Sequence, residues 1–238
     1  MTLNCAKRYF IQIILFYTLI LLVNCDELEA RISLNIEGTG FHRYLIYQIY
    51  IDQFIEDCYI TLYLQLPSAL YVDVNELNHL RRLGISTACC SGETNVELFT
   101  EKAQIQNISI CSRLTNIEST LKVPVHQRYR YASVNDKYIN ISLPDPKLLL
   151  GCRKRLKEYR ISKIDLCSPC VDVVPKWREI PYVMLNNKDM ENEWTIPIGE
   201  TTMLPLVTYT TLLLTILCTI FLIHTIWKSM PKQHLKKE

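Results

Sequence analysis

The fold is decided by the segment Tyr59-Ile60-Thr61-Leu62-Tyr63-Leu64-Gln65-Leu66. Its aliphatic residues recur at every second position, and side chains on a β-strand alternate between the two faces of a sheet. The segment therefore predicts a strand that places Ile60, Leu62, Leu64 and Leu66 on its buried face. The next residue, Pro67, marks a predicted turn.

The same two-residue period recurs along the chain. In residues 31–36 it places Ile32, Leu34 and Ile36 on one face. In residues 137–143 it places Ile139, Ile141 and Leu143 on one face. Residues 41–51 form a further β-prone run. Turns are predicted near residues 38–40 and Pro144. Residues 75–83 are the only convincing helical segment, and strands do not alternate with helices. The pattern therefore predicts a mainly β protein, built as an antiparallel β-sandwich.

Two apolar stretches predict the topology. Lys7 and Arg8 precede a short uncharged run, which is typical of a secretory signal, so we predict a signal peptide over residues 1–25 with cleavage after Cys25. An uncleaved signal anchor is the alternative. Residues 204–227 contain no Asp, Glu, Lys or Arg and predict one transmembrane helix. The Lys-rich residues 228–238 then form a cytosolic tail, which predicts a single-pass type I protein whose residues 26–203 are luminal.

Cysteines and sequons agree with a luminal domain. Seven of the ten cysteines lie in residues 26–203, which favours an oxidising compartment and leaves one cysteine without a partner in that domain. Cys167-Ser-Pro-Cys170 has the spacing of a thiol–disulfide oxidoreductase, but its flanks do not indicate a strand followed by a helix, so a structural disulfide is the preferred interpretation. The sequons at Asn107 and Asn140 are predicted glycosylation sites, because the strand phase places both opposite buried residues.

The sequence carries no recognisable catalytic site. Residues 26–203 have a formal charge of −3, which gives no reason to expect a nucleic-acid partner. Arg153-Lys154-Arg155-Leu156-Lys157 is interpreted as a solvated basic loop. No Asp-x-Asp pair, Gly-x-Ser-x-Gly, His-Glu-x-x-His or P-loop occurs, and no acidic residue lies near His126 and Arg128 in the sequence. We therefore expect a non-catalytic protein without a metal or cofactor.

Three segments together resemble one family. The residues that carry the resemblance are Pro67, Tyr71, Asp73, Glu76 and Leu77, then Pro124, His126, Arg128 and Tyr129, and finally Pro144, Pro146 and Cys152. In order and spacing, and in the sequence of signal, domain and single span, the chain is similar to the phosphatidylinositol-glycan biosynthesis class X proteins and their fungal relatives.

The resemblance implies an accessory subunit of the glycosylphosphatidylinositol (GPI) mannosyltransferase I of the endoplasmic reticulum membrane. Its partner would be the multi-span catalytic class M subunit, which adds the first mannose from dolichol-phosphate-mannose. The motif residues would then serve folding or partner contact. From the residues themselves, Asp73 is predicted to cap the short helix, and Pro124 suits an edge strand.

Two other classes of protein remain open from the sequence. A type I cell-surface receptor or adhesion ectodomain would have the same signal, β-rich domain, glycans and span. A luminal thiol oxidoreductase would use Cys167 and Cys170.

Overall fold

The structure is a computed structural model that describes residues 28–154, 159–185 and 193–229. The predicted signal peptide over residues 1–25 and residues 230–238 of the predicted tail lie outside these ranges, as does part of the basic run. The described residues contain two five-stranded sheets, one two-stranded sheet and a long C-terminal helix.

The first sheet has the strand order β11-β1-β2-β7-β4. Its strands are β1 (Ala30–Glu37), β2 (His42–Ile51), β4 (Leu70–Tyr71), β7 (Glu118–Gln127) and β11 (Tyr182–Met184). Neighbours are antiparallel, except that β11 runs parallel to β1. The turn predicted at residues 38–40 joins β1 to β2, and Gly38 and Gly40 both adopt positive φ there.

The second sheet has the order β10-β9-β3-β6-β5 and is antiparallel throughout. Its strands are β3 (Cys58–Leu66), β5 (Cys89–Gly92), β6 (Gln106–Arg113), β9 (Lys147–Cys152) and β10 (Arg178–Glu179). A separate antiparallel pair joins β8 (Tyr138–Ser142) to β12 (Glu193–Pro197).

The main core lies between the two five-stranded sheets. The residues predicted to face inward on β3, namely Ile60, Leu62, Leu64 and Leu66, are all buried and pack in one cluster with Ile32, Leu45 and Ile49 of the first sheet. Trp194 of β12 and Ile141 of β8 belong to the same cluster. The prediction of a mainly β protein is confirmed, and so is the burial of the alternating aliphatic face that suggested it.

The outer face of the second sheet is also covered, which the alternating pattern of β3 did not indicate. Thr61 and Tyr63 point away from the main core and are nevertheless buried. They lie under residues 162–177, here called the crossing segment, whose Leu166, Val174 and Trp177 pack on this face. Disulfides Cys89–Cys167 and Cys111–Cys170 attach the segment to β5 and β6. This sheet is therefore buried on both faces at its centre.

Two of the helices agree with prediction, and a third, of one turn, was not predicted. Helix α1 (Val74–Arg82) matches the predicted residues 75–83, and α2 (Cys170–Val173) is a single turn within the crossing segment. Helix α3 (Leu204–Ser229) covers the predicted span and follows a 3₁₀ turn at Thr201–Met203. It is long and apolar enough to cross a membrane, and none of its side chains is buried against the domain.

Candidate functional site

Two of the three motif segments meet at one end of the first sheet. Pro67 is followed by the short strand β4, which pairs Leu70 with Gln127 and Tyr71 with His126 at the end of β7. Helix α1 begins directly after β4. Residues 67–77 and 124–129, about 50 positions apart in sequence, therefore lie side by side.

A polar cluster lies at this junction. Glu76 of α1 places Oε1 3.2 Å from His42 Nε2 and Oε2 2.7 Å from His126 Nε2. His42 and His126 are directly opposite each other across β2 and β7, with ring centroids 4.5 Å apart. Tyr71 stacks on the His126 ring at 5.1 Å, and Tyr44 meets the His42 ring edge-on at 4.9 Å. All three side chains of the cluster are partly exposed.

This cluster was not predicted from the sequence. His126 has no acidic neighbour in the sequence, but Glu76 reaches it in space, and His42 was not singled out at all. A histidine in each of two paired strands is a weak signal by itself, because only the strand register shows that the two residues are opposite each other. The cluster is therefore a property of the fold and not of a local motif.

Arg128 is buried although it is charged, with only 2% of its surface exposed. Its Nη1 donates to Asn95 O at 2.6 Å and to Leu98 O at 3.3 Å, and its guanidinium lies 4.6 Å from the centre of the Tyr71 ring. Burial lowers the pKa of Arg128, while Glu93 and Tyr71 act in the opposite direction. Arg128 thus fixes the loop between β5 and β6 to the end of β7.

Asp73 and Leu77 secure helix α1. The Asp73 carboxylate accepts a hydrogen bond from Asn75 N at 2.8 Å, which is the predicted N-terminal cap. Leu77 is the residue by which the helix is anchored in the main core, being 3% exposed. Both residues therefore act in folding, and through Glu76 they also position the polar cluster.

Pro124 lies in β7, at a position where its missing backbone N–H is tolerated. Gln127 donates its backbone N–H to Phe41 O, towards β2, and Arg128 donates to Ala69 O, towards β4. Backbone amides alternate in direction along a strand, so the Pro124 nitrogen faces the β4 side. Because β4 pairs with only Gln127 and His126, no strand of the described chain continues alongside Pro124. The strand β7 is therefore not the edge strand that was predicted for Pro124, but the neighbouring β4 is too short to reach this residue, so its missing N–H removes no hydrogen bond of the sheet.

Tyr129 leaves the sheet and forms part of an exposed aromatic surface. It is 69% exposed, and its ring lies 5.2 Å from that of Phe41. Phe99 and Tyr131 form a second stacked pair, with ring centroids 4.8 Å apart. The hydrogen bond from Thr100 N to Tyr129 O holds the loop that carries Phe99 next to Tyr129. We call Phe41, Phe99, Tyr129 and Tyr131 the aromatic patch.

The third motif segment lies in the second sheet, away from the other two. Pro146 is buried, and its carbonyl accepts a hydrogen bond from Tyr182 OH, while Pro144 is half-buried in the loop before β9. Cys152 forms a disulfide with Cys58, which ties β9 to β3. These residues act as folding contacts at the edge of the main core.

The structure shows which cysteines pair, which the spacing in the sequence did not determine. Cys167 and Cys170 are not bonded to each other; each bonds a cysteine in a different strand. This is an arrangement of structural cross-links, and it does not support a redox-active Cys-x-x-Cys pair. Cys90 is the unpaired member of the seven, and burial raises the pKa of its thiol, with Asp73 adding to the effect.

The two sequons differ in accessibility. Asn140 is exposed on β8, where its Oδ1 accepts a hydrogen bond from Thr195 Oγ1 at 3.0 Å. Asn107 is half-buried on β6 beside Gln65, whose Nε2 donates to its Oδ1 at 3.4 Å. Glycosylation at both positions stays a prediction, and the geometry favours Asn140.

In the described residues, these features define a β-sandwich domain joined to one membrane-length helix. Its motif residues cap a helix (Asp73), hold a loop (Arg128) and form a disulfide (Cys152). The sequence profile of the PIG-X / PBN1 family matches residues 38–227, so that both the domain and the helix are included. The chain belongs to this family.

Three mammalian relatives carry the name GPI alpha-1,4-mannosyltransferase I, stabilizing subunit. The human protein is 27% identical over 220 residues, covering 86% of this chain and 81% of its own length. The rat protein is 27% identical over 217 residues and the mouse protein 27% over 218 residues, each covering 86% of this chain and 83% of its own length.

Proposed function

We propose that this protein is the non-catalytic stabilising subunit of GPI mannosyltransferase I in GPI-anchor biosynthesis. The observation that carries the proposal is the family match over residues 38–227, together with nearly full-length similarity to relatives named as this subunit. The motif residues support it, because Asp73, Arg128 and Cys152 are all used to build the domain.

The proposed setting is the membrane of the endoplasmic reticulum in a type I orientation. Residues 26–203 would be luminal, residues 204–227 would span the bilayer and residues 228–238 would be cytosolic. Three disulfides suit an oxidising lumen. Glycans on Asn107 and Asn140 should then remain sensitive to endoglycosidase H, and resistance to that enzyme would place the protein beyond this compartment.

The partner would be the multi-span catalytic class M subunit. A subunit without catalytic residues can still determine activity, because binding only the folded form of a partner stabilises that form by mass action. No cofactor is needed for such a role.

The aromatic patch is the surface that we assign to this contact. Tyr131 is followed two residues later by Ser133, whose N–H donates to Gly199 O and which bridges to Glu200. The 3₁₀ turn leading into α3 starts at the next residue, Thr201. The patch therefore lies near the membrane end of the domain, where a multi-span partner has to be met, and exposed aromatic residues are common in protein interfaces.

Affinity purification of the full chain in mild detergent tests the proposal. A multi-span mannosyltransferase should be recovered with it, and cells lacking the chain should show less catalytic subunit and fewer GPI-anchored proteins at the surface. Unchanged surface GPI proteins in such cells would refute the proposed function.

A further inference from the structure

We propose that His42, Glu76 and His126 form a binding site for one divalent transition-metal ion, with Zn²⁺ the best match. One nitrogen from each imidazole and one carboxylate oxygen all lie within 4.8 Å of one another. The two close contacts, 3.2 Å and 2.7 Å, are shorter than the roughly 3.3 Å that separates the ligands of a tetrahedral ion at bond lengths of about 2.0–2.1 Å, so an ion would have to move the His126 ring away from Glu76 by about 0.6 Å.

The type and number of ligands select the metal. Two imidazoles and one carboxylate are typical zinc ligands, whereas Ca²⁺ and Mg²⁺ require mostly oxygen ligands. His42 has 40% of its side chain exposed, which leaves room for water as a fourth ligand. An ion here would neutralise the Glu76 carboxylate.

The scaffold holds the three ligands in place before any ion arrives. His42 and His126 are directly opposite each other on neighbouring strands, and Tyr71 on β4 continues the row. Tyr71 and Tyr44 pack against the two imidazole rings. Glu76 is fixed by its helix, which is capped by Asp73 and anchored by Leu77. An ion would therefore cross-link α1 to β2 and β7.

The competing explanation is a hydrogen-bonded clamp in which both imidazoles donate Nε2–H to the carboxylate. The two differ in the state of the Nε2 atoms, since a metal ligand must present an unprotonated nitrogen. They also differ in their response to metal. A chelator leaves the stability of a hydrogen-bonded clamp unchanged, whereas it lowers the stability of a metal site.

The test uses the full chain purified in detergent, stripped with a chelator and titrated with Co²⁺ or Zn²⁺ alone. We expect one Co²⁺ per chain with the intense visible absorption of four-coordinate cobalt, displacement of that signal by Zn²⁺, and a higher melting temperature with Zn²⁺ than with chelator. His126→Gln and Glu76→Gln should each weaken binding at least tenfold.

Two matched variants isolate the site. His79→Gln removes an exposed histidine from the same helix, three residues after Glu76, and Cys90→Ser removes the half-buried free thiol. Both should bind like the wild type. The proposal is overturned if the wild type binds no cobalt, if the signal survives in His126→Gln, or if Zn²⁺ and chelator give the same melting temperature. The wild-type measurements decide the matter even if a ligand variant fails to fold.

Discussion

Gly151 lies in β9 directly beneath the crossing segment. A Cβ placed there would be 2.3 Å from Val174 Cγ2 and 2.8 Å from Trp177 Cε3, and both of those side chains are buried. The absence of a side chain at this position is therefore what lets the crossing segment pack against the second sheet.

Gly151→Ala should destabilise the domain by about 1–3 kcal/mol, because the inserted methyl forces buried neighbours to move. Alanine would otherwise be preferred over glycine in a strand, so the expected loss of stability is caused by the clash alone. Chemical unfolding of the full chain measures the effect. Gly199→Ala is the control, since its Cβ would meet only Ala132, no closer than 3.4 Å. Equal stability of the two variants would contradict the packing argument.

Tyr47 is fully buried in the main core, and its hydroxyl has no hydrogen-bond partner among the described residues. Burial raises its pKa, with Tyr182 and Asp145 adding to the effect, and burial also raises the pKa of Tyr182 to about 12. Both hydroxyls therefore hold their protons in the folded protein at a pH where the unfolded chain, with a tyrosine pKa of about 10, has lost them.

Stability should consequently fall as pH rises above about 10, by up to roughly 1.4 kcal/mol per pH unit for each such tyrosine. Tyr47→Phe should reduce the slope of the unfolding free energy against pH, because one fewer proton is released on unfolding. At pH 7 it should be as stable as the wild type or more stable by up to about 1 kcal/mol, because an unpartnered buried hydroxyl is removed. Unfolding curves from pH 8 to 11.5 measure this.

The crossing segment is an element without regular structure over most of its length, and two disulfides hold it. Their sequence separations are 78 and 59 residues, so each closes a long loop of the unfolded chain. Disulfides of this kind typically contribute about 2–5 kcal/mol in small secreted domains. Leu166, Val174 and Trp177 add apolar contacts, but they cover only one sheet face.

Replacing Cys167 and Cys170 together by serine should loosen the crossing segment and lower stability by several kcal/mol, roughly the contribution of two such cross-links. Limited proteolysis should then cut within residues 162–177, whereas Cys90→Ser should stay resistant. Mannosyltransferase activity per folded complex should be unchanged. A double variant that accumulates normally, assembles and yet supports no activity would restore a redox role for these cysteines.

Prediction from sequence succeeded where structure is local. The alternation in β3 identified its buried face, and Asp73 with the apolar spacing of residues 75–83 identified a capped helix, because both signals lie within one turn or strand. Long-range features were missed. The burial of Thr61 and Tyr63 depends on a segment about 100 residues away, and the His42–Glu76–His126 cluster depends on strand register. Neither leaves a local trace in the sequence.

Within the described residues, a short connection joins the cross-linked domain to the apolar helix α3. Residues 133 and 199–200 hydrogen bond just before the turn that leads into α3. The aromatic patch is continuous with this connection through Tyr131. An interaction made at the patch would therefore act close to the membrane surface and would cooperate with contacts made by α3 in the bilayer.

Replacing Phe41 and Tyr129 together by alanine should reduce recovery of the catalytic subunit in mild detergent several-fold. The protein itself should stay folded, since neither side chain belongs to a buried core and the two residues are 42% and 69% exposed. Phe54→Ala is the matched control, because Phe54 is an equally exposed aromatic residue, at 47%, outside the patch. Mannosyltransferase activity should fall in proportion to the complex recovered, as expected when a subunit acts by stabilising its partner. Normal recovery of the complex would exclude the patch as the contact surface. Normal recovery with lost activity would indicate instead that this end of the domain takes part in the reaction itself.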